Sequence, residues 1–241
     1  MAQRRRRRSK ARKRVGEPAR YGARLSSRAL PLSLLLVALV LLACHAGLAL
    51  YNYQVEPISW LLRQLFDVDQ ENNLPTWYSE FLLLTGFAFL WLCTSQKRAQ
   101  GDRWSGHWVA LTVGFLLMSV DEVAGVHETI NSVIVMTWAI PAGIMALAIA
   151  AAFVPFLLHL PTDTAVRFVL AGGTYLAGAV GIEIVGNSLV GQQLSDTLAY
   201  KMTTFAEEGL EMFGVILFLH ALLRYMRGSK ASAAQASVAV T

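Results

Sequence analysis

Six long apolar segments constrain the possible folds of this chain more than any other feature. A helix needs about 20 apolar residues to cross a hydrocarbon core about 30 Å thick, and several segments approach or exceed that length. The segments lie at residues 29–51, 76–95, 139–160, 164–190 and 200–224, with a further one that begins near Trp104. The apolar fraction of 55% is also high for a soluble domain. We therefore predict an all-α fold, a polytopic membrane helix bundle with about six transmembrane helices.

A shorter segment at residues 55–70 has a different pattern. Its apolar side chains recur at positions 58, 61, 62, 65 and 66, whereas Arg63 and Asp67 fall outside that stripe. One apolar face and one polar face are typical of a short amphipathic helix that lies on a membrane surface. The predicted domain organisation is a disordered basic cytoplasmic segment at 1–28, a six-helix transmembrane domain at 29–226 and a disordered cytoplasmic tail at 227–241.

Basic and acidic residues are strongly segregated along the chain. Residues 1–28 contain 12 of the 21 Lys and Arg residues. If both termini are cytoplasmic, 19 of the Lys and Arg lie on the inner side, and 13 of the 16 Asp and Glu lie on the outer side. The cytoplasmic loops of membrane proteins carry an excess of Lys and Arg. The sequence therefore predicts a multi-pass protein of the cell inner (plasma) membrane with cytoplasmic N- and C-termini.

The basic segment at residues 1–28 also indicates which partners to expect. It includes the run RRRRR at 4–8, and a block of like charge of this kind is typical of a disordered segment. Lys and Arg clusters next to a membrane span attract anionic lipid headgroups. We expect the lipid bilayer and its anionic headgroups as partners. Nucleic acid is a weaker candidate, because neither aromatic interleaving nor a fold motif supports it.

The stretch SVDEVAGVHE at 119–128 places charged residues at the end of the third predicted span. Residues 106–120 supply only 15 residues, or about 22 Å of helix, which is less than a hydrocarbon core of about 30 Å. The helix is therefore expected to continue through Asp121 and Glu122. On a continuous helix one face carries Asp121, Gly125, Glu128 and Ser132, with His127 about a quarter-turn from Glu128.

Two further predicted spans bring carboxyl groups to the same level. Glu183 lies in the outer half of the fifth span, and the sixth span carries EEGLE at 207–211. Ionisable residues inside a membrane are costly and usually face a bundle interior or a wet cavity. Clustered carboxylates repel one another unless a proton, a cation or a basic partner lies between them. The candidate cation ligands are Asp121, Glu122, His127, Glu128, Glu183, Glu207, Glu208 and Glu211.

This set of oxygen-rich ligands also predicts which cofactor the chain would take. Carboxylates with one histidine suit a hard or borderline divalent metal ion, such as Mn, Fe, Mg or Ca, better than a metal that prefers thiolates. We therefore expect a divalent metal ion as the candidate cofactor.

The stretch SVDEVAGVHE resembles a Ser-x-Asp-Glu-x4-His-Glu pattern of uncharacterised bacterial multi-pass membrane proteins. In this chain the pattern is formed by Ser119, Asp121, Glu122, His127 and Glu128. The resemblance implies a bacterial inner-membrane location and implies no particular activity.

Three functions fit these features. The leading hypothesis is an inner-membrane protein that binds a divalent metal ion or a proton in an outward-facing acidic cavity, and that transports this cation if an inner pathway also exists. One alternative is a membrane-embedded, metal-dependent enzyme that acts on a lipid or lipid-linked substrate at the outer face, for which the sequence assigns no catalytic residue. Another alternative is a structural or sensory membrane protein whose acidic face docks a partner.

Overall fold

The structure of this chain, a computed structural model, describes residues 29–126, Thr129 and 139–238, with side-chain surroundings given as far as Gly228. All regular secondary structure in these residues is helical, so the all-α prediction is confirmed. The helices are α1 (Ala29–Gln54), α2 (Trp60–Phe66), α3 (Leu74–Ala99), α4 (Ser105–Ala124), α5 (Ala139–His159), α6 (Thr162–Leu176), a π-helical segment (Ala177–Ile182), α7 (Glu183–Gly191) and α8 (Leu198–Val238).

Six of the described helical segments are long and apolar enough to cross a membrane, as the sequence predicts. They are Ala29–Gln54, Leu74–Ala99, Ser105–Ala124, Ala139–His159, Thr162–Gly191 and Leu198–Gly228. The fifth consists of α6, the π-helical segment and α7 in one continuous run. The last helix continues to Val238, and it therefore covers most of the segment at 227–241 that we expected to be a disordered tail.

The last helix, α8, occupies the centre of the bundle. It packs against α1, α3, α6 and the π-helical segment, while α4 packs mainly on α3. Met212, Leu219 and Leu222 of α8 are fully buried, because neighbours surround this helix on several sides. By contrast, α5 has few buried residues and contacts chiefly α6, the π-helical segment and α7.

The two ends of the bundle carry opposite charges. One end, which we call the acidic end, is formed by the connections at 55–73 and 192–197 and by the C-terminus of α4. The other, which we call the basic end, is formed by the connections at 100–104 and 160–161. Lys97, Arg98, Arg103, Arg167 and Arg224 lie near the basic end. Among the described residues only Arg63 and Lys201 are basic at the acidic end.

Local signals explain where two of the helices begin and end. Asn73 caps α3, since its side-chain oxygen accepts a hydrogen bond of 3.1 Å from the backbone N–H of Thr76, and Pro75 fits the first turn. Gly125 ends α4 with a φ of +53°, a left-handed conformation that glycine adopts without a steric penalty. Its N–H donates to the carbonyl of Asp121.

One expectation about these segments is wrong, and another is confirmed over a shorter range. The third predicted helix does reach Asp121 and Glu122, but it stops at Ala124, so the continuous face through Gly125 is interrupted. The amphipathic helix covers only Trp60–Phe66 rather than 55–70. It exposes Trp60, Leu61, Leu62 and Leu65, as expected of a helix at a membrane surface.

Candidate functional site

Two adjoining cavities lie inside the bundle near the acidic end. The mouth cavity has a volume of about 170 Å³ and is lined partly by the connection between α2 and α3. The deep cavity has a volume of about 180 Å³ and reaches further along α8, to Glu211. Both are lined by Glu122, Glu183, Glu207 and Glu208. We call the two together the acidic cavity.

Three stretches of helix bring the carboxyl groups into the acidic cavity. Asp121 and Glu122 occupy the last turn of α4. Glu183 is the first residue of α7, directly after the π-helical segment. Glu207, Glu208 and Glu211 lie within little more than one turn of α8, so their side chains project over a short length of the helix.

The π-helical segment can approach α8 closely because residue 178 is glycine. A Cβ atom added at Gly178 would lie 2.6 Å from the backbone oxygen of Glu207 and 3.0 Å from Cγ of Glu211. Single π-helical turns are frequent at functional sites, where they change the direction of the following side chains. Here the segment packs against the part of α8 that carries the glutamates, and it immediately precedes Glu183.

Two side-chain contacts organise the carboxyl groups. The side chains of Glu183 and Glu207 are close neighbours, and both line the mouth cavity and the deep cavity. Tyr175 is a neighbour of Glu211, and both side chains line the deep cavity. Two neighbouring carboxylates repel each other unless a proton, a cation or a basic group lies between them. The carboxyl groups of α7 and α8 therefore form one group within the acidic cavity.

The connection between α2 and α3 covers the mouth cavity and is held in place by Lys201. The ammonium group of Lys201 donates hydrogen bonds of 2.8 Å to Asp67 and 2.8 Å to Asp69. The hydroxyl of Tyr200 donates a further bond of 2.9 Å to Asp69. We call residues 67–73 the mouth loop. Val68, Asp69, Gln70 and Glu71 of this loop line the mouth cavity.

A buried histidine supports the mouth loop from below. The N–H of Val68 lies 3.2 Å from Nδ1 of His45, and Nε2 of His45 lies 3.1 Å from the carbonyl oxygen of Lys201. A backbone N–H can only donate, so Nδ1 accepts and the proton of the neutral ring is assigned to Nε2, which donates to Lys201. His45 thus connects α1, the mouth loop and α8 instead of lining the acidic cavity.

Six of the eight predicted site residues line the acidic cavity. They are Asp121, Glu122, Glu183, Glu207, Glu208 and Glu211. The other two, His127 and Glu128, lie outside the described residues. Within the described part of the chain, no group of three or more His, Cys, Asp or Glu side chains is arranged so that it could hold a metal ion.

Sequence reasoning missed the contribution of the mouth loop. It assigned Asp67 to the surface helix and did not assign a partner to Lys201, although Asp69 and Glu71 of this loop line the cavity. A signal for the loop was present. Lys201 is one of only two basic residues expected on the outer side, and Asp67 and Asp69 precede the next span by a few residues.

The fold and the cavity define a class: a multi-pass membrane helix bundle with a carboxyl-lined cavity between its helices. Residues 32–226 match the model of a family described as a domain of unknown function (DUF8692), and the chain therefore belongs to that family. The match includes every residue that lines the acidic cavity and excludes the basic segment at 1–28. No curated protein and no solved structure matches the chain.

Proposed function

We propose that this protein binds a cation, either a proton or a divalent metal ion, in the acidic cavity within the membrane. The observation that carries this proposal is the grouping of four glutamates, Glu183, Glu207, Glu208 and Glu211, around one cavity between the helices. Carboxylates removed from water repel one another and bind protons or cations more strongly. A proton shared by Glu183 and Glu207, or a metal ion that replaces it, relieves this repulsion.

The nearest lysine supports the proposal because it is already engaged. Lys201 is paired with Asp67 and Asp69 in the mouth loop, at 2.8 Å from each. Among the described residues that line the two cavities there is neither Lys nor Arg. Lys201 is therefore engaged at the mouth loop and does not line the acidic cavity.

The proposal includes transport only through a change of conformation. The half of the bundle next to the basic end is packed by a core that contains Trp108, Phe156, Phe168, Phe218 and Leu222. A cation that enters the cavity from the acidic end meets this core beyond Glu211. Passage to the basic end would require the helices to separate there, so binding is the function that the present packing supports best.

The location that we propose is the cell inner (plasma) membrane, with the acidic end on the outer side and both termini in the cytoplasm. The basic residues of the described chain gather at one end of the bundle, and loops rich in Lys and Arg stay in the cytoplasm. The basic segment at 1–28 lies next to α1 in the sequence. We propose that it binds anionic headgroups of the inner leaflet.

The test combines metal analysis with infrared spectroscopy on the full-length protein purified in a mild detergent. We expect the wild type either to hold a near-stoichiometric divalent metal or to show the C=O band of a protonated carboxyl group at neutral pH. A Glu207→Gln/Glu208→Gln variant should lose whichever signal is present. Both substitutions keep the side-chain volume and remove the charge.

Glu80→Gln is the matched control for this variant. Glu80 lies near the acidic end in α3 but lines neither cavity, so its replacement should leave both signals unchanged. All proteins are compared at equal elution volume and equal melting temperature, which excludes unfolding as the cause of a loss. The proposal fails if the folded wild type contains neither a metal nor a protonated carboxyl group that depends on Glu207 and Glu208.

A further inference from the structure

An apolar groove adjoins the acidic cavity between α4 and α5. It has a volume of about 240 Å³ and shares Met118, Tyr175 and Leu176 with the deep cavity. A single water molecule needs only about 10–15 Å³ measured in this way, so the groove has room for a chain of many atoms. Val169 belongs to its lining and is 56% exposed, which makes the groove accessible from the surface of the bundle.

The groove is closed at the basic end by aromatic rings that pack against one another. The ring centroid of Phe156 on α5 lies 5.1 Å from that of Trp108 and 5.3 Å from that of His107, both on α4. The two helices have different main partners, since α4 packs on α3 and α5 packs on α6, the π-helical segment and α7. The groove therefore ends in an aromatic floor and leads towards the carboxyl groups.

Three walls of this space change from apolar to acidic in the same direction. The changes run from Phe115 to Glu122 on α4, from Phe168 to Glu183 along α6 and α7, and from Phe218 to Glu208 on α8. The last of these covers about 15 Å by helical rise. This is half of a hydrocarbon core of about 30 Å, or the depth of one leaflet. Tyr175 lies at the boundary, because it lines both the groove and the deep cavity, where Glu211 is also part of the lining.

We propose that the groove and the acidic cavity together bind an amphipathic cation, namely a lipid-like molecule with one hydrocarbon tail and a protonated amine as its head. The tail lies in the groove, and the amine lies among Glu122, Glu208 and Glu211. This inference rests on the proposed function, and it adds the class of the ligand. A head that carries a phosphate is disfavoured, because the described lining of the acidic cavity offers carboxyl groups and no Lys or Arg.

The charge of the head selects the ligand, and the tail determines how it enters. Lipid tails and apolar side chains are similar environments, so transfer of the tail from the bilayer to the groove gains little hydrophobic energy. An ammonium group beside carboxylates in a low dielectric is strongly favoured. A neutral molecule with the same tail should therefore bind weakly, and a small amine without a tail lacks the lateral route through the groove.

The test uses the full-length protein in nanodiscs of phosphatidylcholine and dodecylamine with a photoreactive diazirine at the end of its tail. We expect saturable labelling that mass spectrometry maps to groove residues near the aromatic floor. The same tail with a hydroxyl head or a sulfate head should label the protein at least about tenfold more weakly at equal concentration in the membrane, which corresponds to about 1.4 kcal/mol.

Two adjacent glycines provide a matched pair of variants for the groove. A Cβ atom at either Gly172 or Gly173 would meet no atom within 4 Å, but only Gly172 lines the groove. Gly172→Leu should fill the groove and reduce labelling by dodecylamine about tenfold, whereas Gly173→Leu should leave it unchanged. Glu208→Gln should reduce labelling by dodecylamine to nearly the level of the probe with a hydroxyl head. Its melting temperature shows whether the variant is folded.

The outcomes separate this inference from the proposed function. The wild type could bind a metal ion or a proton through Glu207 and Glu208, while the amine, the alcohol and the sulfate label it equally. That result rules out the amphipathic cation as the ligand, and the proposed function stands. Equal labelling of Gly172→Leu and Gly173→Leu rules out the groove as the site of the tail. If no cation of any kind depends on the cavity glutamates, both ideas fail together.

Discussion

Lys201 is the residue that contributes most to holding the mouth loop over the acidic cavity. Its side chain is 12% exposed and contacts Asp67, which is 6% exposed, and Asp69, which is 18% exposed. Loss of one partner from a largely buried ion pair leaves the other charge uncompensated, and this costs more than the pair itself contributes. Lys201 therefore matters chiefly because its absence would leave two carboxylates close together at the mouth loop.

Lys201→Met is expected to lower the free energy of unfolding by about 3–5 kcal/mol. The check is a denaturant titration in detergent micelles, with Arg63→Met as the control. Arg63 is the other basic residue at the acidic end, so the control removes the same charge from the same end. Addition of Asp67→Asn and Asp69→Asn to Lys201→Met should restore most of the lost stability. Equal stability of the two single variants would mean that the ion pairs contribute little.

At the scale of elements, the hydropathy of the sequence predicts the membrane spans. It does not predict local changes of helix geometry that depend on single close contacts. The six spans are confirmed because each is a long apolar run, and the structure places the carboxyl groups of α4, α7 and α8 around one cavity. The break in α4 at Gly125 was missed, because a glycine within a helical pattern does not reveal its φ. The π-helical segment was also missed, since AGAVGI has the composition of an ordinary apolar helix.

The mouth loop shows the same limit for polar contacts. Lys201 follows Asp67 by 134 residues, so no local pattern predicts that the two side chains meet. The hydrogen bonds of His45 to Val68 and Lys201 are likewise contacts between distant segments. A sequence places such residues at one end of a bundle, and only the packing of α1 against α8 brings them together.

The π-helical segment provides a prediction at this scale through two of its glycines. Gly178→Ala should destabilise the protein by about 1–3 kcal/mol, because its Cβ would lie 2.6 Å from a backbone oxygen of α8 and the helices would have to move apart. Gly181→Ala should be neutral or stabilising by up to about 1 kcal/mol, since its Cβ would meet nothing within 4 Å and alanine favours helix.

The measurement for these two variants is the melting temperature in detergent, followed by the cation assays of the wild type. Gly178→Ala should also weaken cation binding, because the segment and α8 together place Glu183 opposite Glu207. If Gly178→Ala and Gly181→Ala melt at the same temperature, the close approach of the segment to α8 is not required for stability.

At the scale of the whole molecule, the orientation in the membrane can be tested at the two ends of the bundle. Gln70 in the mouth loop and Gln100 after α3 are both exposed, and they lie at opposite ends. In a background in which the free cysteines Cys44 and Cys93 are replaced by alanine, an impermeant maleimide added to spheroplasts should label Gln70→Cys directly. Gln100→Cys should react only after the membrane is opened. The reverse result would place the acidic end in the cytoplasm.

The unequal packing of the two halves also determines where a membrane voltage acts. The half near the basic end is lined and packed by apolar side chains around Trp108, Phe156 and Phe218, whereas the acidic cavity is polar and reached from the opposite end. An electric potential falls mainly across the less polarisable region, so most of the field lies across the aromatic half. Moving one elementary charge across the whole membrane changes its electrical energy by about 2.3 kcal/mol at 100 mV. A cation that enters the cavity passes through only a small part of this potential difference. Binding is therefore expected to be almost independent of voltage, while any step that carries charge past the aromatic core would depend on it steeply.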